Sequence, residues 1–533
     1  MRHVSHFLAA TALASTLALG AAPLHADTPP DTLIQAWAID DVISLDPAEL
    51  FEFTASEVVG NAYQGLVTYD VDDVENIYGE IAESWEVSED GTTFTFTIAP
   101  GLQFASGNPI TAADPVYSIQ RAVKLNLAPA FILTQFGLTP ENVDQMVRQT
   151  GDMTFELQMD QAYAPTLLLY CLTATVAFVV DSALVQENEV DGDFGNGWLK
   201  TNYAGSGPFT IREWRPNEVI VMERNPNFSG EAPAMARAIY RHVPESATQR
   251  LLLEQGDIDI ARNLGPEEVA ALEDNPDIRI ESGVKGSIYY LGLNQRNENL
   301  AKPEVREAMK LLVDYQAIAD TIMAGQAVVH QAFLPRGFLG ALEDTPYALD
   351  VERARELLAE AGLEDGFTVT MDTRNTDDIT GIAQAIQQTM AEAGITLELI
   401  PGDGQQTLTK YRARNHDIYI GRWGPDYQDP HTNADTFARN PDNSDDAEFK
   451  PLAWRNAWEI PEMTAKADAA VLEADPEVRA QMYEELQREH QETSPFVIMF
   501  QEIEVLGMRD DVQGFVVGPS FNDNSFYGVT KAE

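Results

Sequence analysis

The segment WGPDYQDPHTNADTF, from Trp423 to Phe437, places several ionisable side chains between aromatic rings. A carboxylate beside aromatic rings can hold a cation through ion pairing and cation–π contact. Alternatively, aspartates in such a segment only cap local turns of a solvated loop. The ionisable residues are Asp426, Asp429, His431 and Asp435.

The residues before this segment predict the elements that position it. Ile418, Tyr419 and Ile420 indicate a buried strand. Upstream, FTVTM (Phe367–Met371) and ITLELI (Ile395–Ile400) flank a helical pattern, which predicts a βαβ unit with a parallel strand pair. Ligands bind at the carboxyl ends of such strands. Arg374 follows the first strand, and it is either a partner for a ligand carboxylate or an exposed loop residue.

The rest of the chain alternates between strand and helix periods. Alternation of apolar residues and threonines around Ser88–Gly91 predicts a β-hairpin with one wet face. Pro303 opens an amphipathic helix, and Asp350 caps another that ends at Gly362. The sequence therefore predicts a mixed α/β protein with more than one lobe.

The first 26 residues have the pattern of a secretory signal peptide. Arg2 precedes an apolar run, Phe7–Ala22, and Leu24-His25-Ala26 forms a cleavage site similar to A-x-A. The apolar run is short for a membrane span, so we expect cleavage near Ala26 and an exported protein, with an uncleaved anchor as the alternative. The single cysteine, Cys171, excludes an intrachain disulfide and is expected to be buried.

Charge narrows the choice of partner. The chain has 34 basic and 85 acidic residues, a net charge of −51. Such a surface repels nucleic acid and anionic lipid, so we expect neither as a partner. The charge either keeps the protein soluble or draws in cationic solutes.

No catalytic motif stands out. The chain has no G-x-S-x-G elbow, Walker-type loop, H-E-x-x-H motif or cysteine-based metal site. The histidines outside the signal segment are far apart and lack metal-ligand spacing, so we expect no metal or cofactor. A hydrolase using two carboxylates stays an alternative because acidic residues are so numerous.

An ordered series of motifs resembles the extracellular solute-binding proteins of ABC importers, family 5, which includes dipeptide- and oligopeptide-binding proteins. The most specific block is AESWEVSEDGTTFTFTIAPGLQFASGNPITAAD, Ala82–Asp114. The other motifs are LDP (Leu45–Pro47), NAYQGLV (Asn61–Val67), GSGPF (Gly205–Phe209), RNPNF (Arg224–Phe228), GDIDIA (Gly256–Ala261), VREAMKLLVD (Val305–Asp314) and ARELLAEAG (Ala354–Gly362).

The resemblance implies a two-lobed α/β fold of the Venus-flytrap type, with hinge strands and an extra subdomain inserted in the first lobe. Lobe I would comprise residues 27–62, 203–286 and 500–533, with the insert at 63–202. Lobe II would comprise residues 287–499.

The resemblance also assigns roles in the cleft. Trp423, Asp426, Tyr427 and Pro430 match the family's Trp-x-x-Asp-Tyr-x-x-Pro segment. In peptide-binding members this Asp holds the ligand's α-ammonium group, so Asp426 would do so here, with Trp423 and Tyr427 as apolar walls.

Further candidates lie outside this segment. Glu52 is near a family position that faces the cleft, although a solvated surface position is the alternative. Arg374, Arg412 and Arg422 are candidates for an anionic end of the ligand. Some oligopeptide binders have an arginine where this chain has Ile420, which argues against long peptides here.

The implied function is a monomeric receptor, not an enzyme, that captures a short peptide or another amino-acid-like solute. It would present this solute to the membrane permease of an ABC importer. Receptors of the same family for sugars, opines or other solutes, and a periplasmic chaperone-like binder of unfolded peptides, are the remaining alternatives. A sugar would stack on Trp423 and would not need Asp426 as a counter-ion.

Overall fold

The computed structural model describes residues 28–71, 73–164, 166–447 and 449–532. The predicted signal peptide lies outside these residues. Within the described part of the chain, no helix combines the length and apolar character needed to cross a bilayer.

Nineteen strands are present among the described residues. In chain order they are β1 (Thr32–Trp37), β2 (Val67–Asp70), β3 (Asp73–Gly79), β4 (Ala82–Val87), β5 (Thr93–Ile98), β6 (Val147–Gln149), β7 (Thr154–Gln158), β8 (Phe209–Arg215), β9 (Val219–Arg224), β10 (Arg237–His242), β11 (Ile260–Ala261), β12 (Ile278–Leu293), β13 (Ala327–Val329), β14 (Phe367–Arg374), β15 (Ile395–Gly402), β16 (Ile418–Trp423), β17 (Phe496–Arg509), β18 (Val512–Gln513) and β19 (Thr530–Lys531).

Eighteen α-helices are present in the same ranges. They are α1 (Phe53–Gly60), α2 (Ala113–Leu125), α3 (Phe131–Thr134), α4 (Val143–Met146), α5 (Leu167–Cys171), α6 (Ser182–Glu187), α7 (Asn196–Leu199), α8 (Ser246–Gln255), α9 (Pro266–Leu272), α10 (Pro303–Leu311), α11 (Tyr315–Thr321), α12 (Val351–Glu360), α13 (Asp377–Glu392), α14 (Gly404–Arg412), α15 (His431–Phe437), α16 (Leu452–Arg455), α17 (Pro461–Ala470) and α18 (Pro476–Thr493). Short 3-10 turns occur at Ala128–Ala130, Thr175–Ala177 and Phe521–Asp523.

One large mixed sheet connects the two lobes. Its strand order is β15-β14-β16-β12-β17-β11-β1-β10-β9-β8, and β13 pairs with β17 outside this path. The long strands β12 and β17 pair antiparallel in both lobes, and their register shifts between Val284 and Ile288. An irregularity of this kind breaks the regular ladder, so this is the point where the strands can bend.

Smaller sheets form the subdomain between β1 and β8. Strands β4-β5-β7-β6 form a four-stranded antiparallel sheet, and β2 pairs with β3. Its hydrophobic cluster contains stacked rings of Phe94, Phe96 and Phe155. Separate clusters fill the two ends of the large sheet. The chain therefore has the predicted two-lobed α/β fold with an inserted subdomain.

The local predictions agree with this structure. Strands β4 and β5 form the predicted hairpin, and alternate residues of β5 are buried. Strands β14 and β15 pair in parallel around α13. The Asp350 side chain accepts a hydrogen bond from the Arg353 amide at the start of α12. Cys171 is buried. The residue boundaries given above for the lobes and the insert stay a prediction.

Candidate functional site

The segment after β16 lies at the junction of the two lobes. β16 pairs antiparallel with β12, with Trp423 opposite Ile288, and in parallel with β14, with Tyr419 next to Asp372. A β-carbon added to Gly286 of β12 would lie 2.7 Å from Cγ of Pro425, so the two backbones can be this close only because residue 286 is glycine. This packing fixes the direction in which the loop leaves the strand.

Asp426 is a partly buried carboxylate whose negative charge is stabilised by few groups of the described residues. Its amide donates to Oγ1 of Thr432 at 3.0 Å, and the Thr432 hydroxyl is 3.5 Å from Oδ2. Burial, together with the charge of Asp435, raises the pKa of Asp426 to about 8 against the opposing effects of Thr432 and Arg455. A carboxylate in such a position gains strongly from a cationic partner.

The two predicted aromatic walls have different environments. The Trp423 ring meets the edge of Phe437, and its buried Nε1 has no hydrogen-bond partner among the described residues. Tyr427 is 4% exposed and packs into the hydrophobic cluster of the inserted subdomain. Tyr427 therefore joins lobe II to the insert. Trp423 is the ring with an unused hydrogen-bond donor.

The other ionisable residues of the segment are either paired with arginines of the protein or buried. The buried Asp429 forms an ion pair with Arg479, and Asp435 forms one with Arg439. His431 is buried in α15, and this burial lowers its pKa to about 3. In the described ranges no group of three or more His, Cys, Asp and Glu side chains could hold a metal ion.

Lobe I contributes two carboxylates near this junction. Glu52 precedes α1 and accepts a hydrogen bond from the Phe51 amide at 3.1 Å. Burial raises the pKa of Glu52 to about 7, with Asp41 adding to the shift and Arg412 of lobe II opposing it. Burial also raises the pKa of Asp41, which Arg374 opposes. Acids of one lobe thus face arginines of the other.

The three predicted arginines differ in their partners. Arg422 forms an ion pair with Glu502 and lies over the Phe53 ring, 4.7 Å from its centroid. Arg374 ends β14 beside Gly404, and Arg412 ends α14. Both of these side chains are exposed, and neither forms an ion pair with a described residue.

The lobes meet around the predicted residues. A β-carbon on Gly424 would lie 3.0 Å from the Phe53 ring, and the Ala164 amide of the insert donates to the Val471 carbonyl at 3.2 Å. Sequence reasoning missed Asp41 and Arg455. Arg374 lowers the pKa of Asp41, and Arg455 lowers the pKa of Asp426. Neither residue lies in a distinctive motif, so only the fold brings them to the cleft.

A two-lobed α/β fold with charged and aromatic side chains between its lobes defines a binding protein of the flytrap class. Solved structures agree. The periplasmic binding protein DppA of Helicobacter pylori, solved with the peptide STSA, superposes with a TM-score of 0.83 at 22% identity, covering 94% of this chain and 98% of that one.

The chain belongs to the bacterial extracellular solute-binding proteins, family 5, whose model matches residues 76–445. It is similar to the probable D,D-dipeptide-binding periplasmic protein DdpA of Escherichia coli, with 27% identity over 96% of both chains. It is also similar to the glutathione-binding protein GsiB of Salmonella paratyphi A, with 24% identity over 90% of this chain and 92% of that one.

Proposed function

We propose that this protein is a periplasmic receptor that captures a short peptide or another amino-acid-like solute and delivers it to an ABC importer. The observation that carries the proposal is Asp426, a partly buried carboxylate between the lobes. Among the described residues, the one side chain that hydrogen-bonds to it is the hydroxyl of Thr432. An ammonium group would supply the missing counter-charge. The relatives named for dipeptides and glutathione support this ligand class.

Five of the predicted residues have a role in this proposal. Asp426 holds the α-ammonium group, and Trp423 and Tyr427 wall the site. Glu52 faces it from lobe I. Of the three arginines, Arg374 best suits the terminal carboxylate, because Arg422 is already paired with Glu502 and Arg374 lies at the carboxyl end of β14.

The mechanism is closure of the lobes about β12 and β17. Lobe I, residues 27–62, 203–286 and 500–533 with the insert at 63–202, would move against lobe II, residues 287–499. A ligand with contacts to both lobes stabilises the closed arrangement over the open one. The receptor acts as a monomer and returns its ligand chemically unchanged.

Titration calorimetry at pH 7.5 with L-Ala-L-Ala, D-Ala-D-Ala, glutathione and maltose tests the proposal. We expect at least one of the three peptides to bind and maltose not to bind. Acetylating the amino group of the bound peptide should lower its affinity by roughly a hundredfold, since an ion pair at a desolvated carboxylate is lost.

Matched variants assign the contact. Asp426→Asn should lose the same affinity, whereas Asp274→Asn makes the same charge change at an exposed position and should bind as the parent protein does. Binding of maltose but of no peptide would assign the receptor to sugars and overturn the role of Asp426. Cleavage of the bound peptide, seen by mass spectrometry, would overturn the receptor.

A further inference from the structure

Two arginines lie beside a pair of stacked tyrosines near the cleft. The rings of Tyr411 and Tyr419 are parallel within 8°, with centroids 4.0 Å apart. The Tyr411 hydroxyl accepts a hydrogen bond from the Asn456 amide nitrogen at 2.8 Å, which fixes the stack from the lobe II side. The Arg455 guanidinium lies 5.5 Å from the Tyr411 ring centroid, and Arg412 is the next residue along α14.

Arg412 and Arg455 form no ion pair with the part of the chain that the structure describes, and neither side chain donates a hydrogen bond to a described residue. Their neighbours are paired, because Lys410 forms an ion pair with Asp372, and Arg422 with Glu502. In a chain with 85 acidic and 34 basic residues, two arginines that form no ion pair with a described residue have N–H donors left for an anion from the ligand, although the charge of Glu52 acts on Arg412.

The charge of Arg455 reaches Asp426, the proposed ammonium contact. Arg455 lowers the pKa of Asp426. Partial desolvation lowers the pKa of the exposed Arg412, and the charge of Arg455 lowers it further while Glu52 raises it. The charge of Arg455 therefore acts on both Asp426 and Arg412. The Tyr419 hydroxyl is in the field of both arginines and has no hydrogen-bond partner among the described residues.

We infer that Arg412, Arg455 and the Tyr419 hydroxyl form a second anion subsite, which binds an acidic side chain on the same ligand residue whose ammonium group contacts Asp426. The ligand class is then a short peptide that begins with aspartate or glutamate. This inference rests on the proposed function and goes beyond it, because the terminal carboxylate is assigned to Arg374.

The geometry of the subsite suits a carboxylate. Two guanidinium groups offer planar arrays of N–H donors, and a phenol hydroxyl offers one more. The net charge of −51 opposes the approach of an anion from a distance, but local contacts decide the stability of the bound state. The subsite would therefore be seen in the equilibrium affinity.

The test compares the dipeptides Glu-Ala, Gln-Ala and Ala-Ala by titration calorimetry at pH 7.5. Glu-Ala and Gln-Ala differ in one carboxylate of the first residue. In the parent protein we expect Glu-Ala to bind roughly ten- to a hundredfold more tightly than Gln-Ala. In the double variant Arg412→Gln/Arg455→Gln this ratio should fall to about one.

The control variant is Arg212→Gln, which removes an arginine from the exposed face of β8 with no ion pair to a described residue. It should keep the preference for Glu-Ala, so that a general charge effect is excluded. If Ala-Ala binds but Glu-Ala binds no better than Gln-Ala, the subsite is overturned and the proposed function stands. If none of the dipeptides binds, the subsite and the proposed function as a dipeptide receptor are both overturned.

Discussion

The guanidinium of Arg479 donates hydrogen bonds to both carboxylate oxygens of Asp429, at 2.7 and 2.8 Å. Arg479 also donates through Nε to the Ala470 carbonyl at 3.1 Å. Both members of the pair are buried. Asp429 comes three residues after Asp426, so this ion pair fastens the loop of the candidate site to α18 and leaves Asp426 as the carboxylate available to a ligand.

Replacing Arg479 by methionine should therefore destabilise the protein strongly. The substitution leaves Asp429 buried without its counter-charge, which costs about 3–5 kcal/mol of unfolding free energy. Urea denaturation monitored by tryptophan fluorescence measures this loss. Lys466→Met breaks a more exposed ion pair, that with Glu489, and should cost less than about 1 kcal/mol. Equal losses in the two variants would contradict the structural role of the Arg479–Asp429 pair.

The affinity for a peptide with a free amino group should depend on pH through Asp426. Since the pKa of Asp426 in the ligand-free protein is about 8, the carboxyl group is protonated at lower pH and must release a proton to bind an ammonium group. An α-amino group has a pKa of about 8, so the ligand loses its own charge above that value. Affinity should therefore peak near pH 8 and fall by up to about tenfold for each pH unit below it.

Calorimetry of one dipeptide between pH 6 and 9, in buffers of different ionisation enthalpy, tests this pH dependence. At pH 6.5 the parent protein should release close to one proton for each ligand bound. Asp426→Asn, which cannot release that proton, should show no such release. Proton release that persists unchanged in the variant would assign it to another group and contradict the prediction.

The ligand-free protein should lose stability as pH rises, because of the same carboxyl group. The pKa of Asp426 is raised to about 8 from about 4 in the unfolded chain, so between these values the folded state keeps a proton that the unfolded state has lost. Because of Asp426, the unfolding free energy should fall by at most about 1.4 kcal/mol for each pH unit that the pH rises between these two values.

Melting temperatures of the parent protein and Asp426→Asn at pH 5 and pH 8.5 isolate this effect. Burial also raises the pKa of Asp435 to about 6 and of Glu52 to about 7, but both residues are present in the two proteins. The melting temperature of the variant, relative to that of the parent, should be higher at pH 8.5 than at pH 5. Two proteins with the same pH dependence would show that Asp426 titrates normally.

Much of the local architecture could be predicted from the sequence. The turn at Ser88–Gly91, the cap at Asp350 and the parallel strands around α13 follow from short-range rules that the residues themselves satisfy. The two-lobed fold followed from a series of motifs along the whole chain. Asp426 emerged as a candidate because it matches the Asp of the family's Trp-x-x-Asp-Tyr-x-x-Pro segment.

The partners across the cleft could not be predicted in the same way. Asp41 and Arg374 are more than 300 residues apart, and only the closure of the lobes lets their charges interact. Arg455 lies in a four-residue helix with no motif, and its position beside Tyr411 depends on tertiary packing. The sequence also could not show that Asp429 is neutralised by an ion pair, because its buried partner Arg479 is 50 residues further along the chain.

Gly286 of strand β12 should determine the position of the loop that carries Asp426. A β-carbon here would lie 2.7 Å from Cγ and 3.0 Å from Cδ of Pro425, and a proline ring cannot rotate away as a flexible side chain can. Gly286→Ala should therefore displace the loop that carries Asp426 and lower dipeptide affinity by roughly tenfold or more, with a loss of about 1–3 kcal/mol in unfolding free energy. Gly528→Ala is the matched control, because its β-carbon would meet only the Gly514 carbonyl at 3.4 Å, an ordinary contact. Calorimetry and urea denaturation of both variants measure these effects. If Gly286→Ala loses stability but binds the dipeptide as the parent does, the loop tolerates displacement, and the position of Asp426 is not set by its contact with the hinge strand.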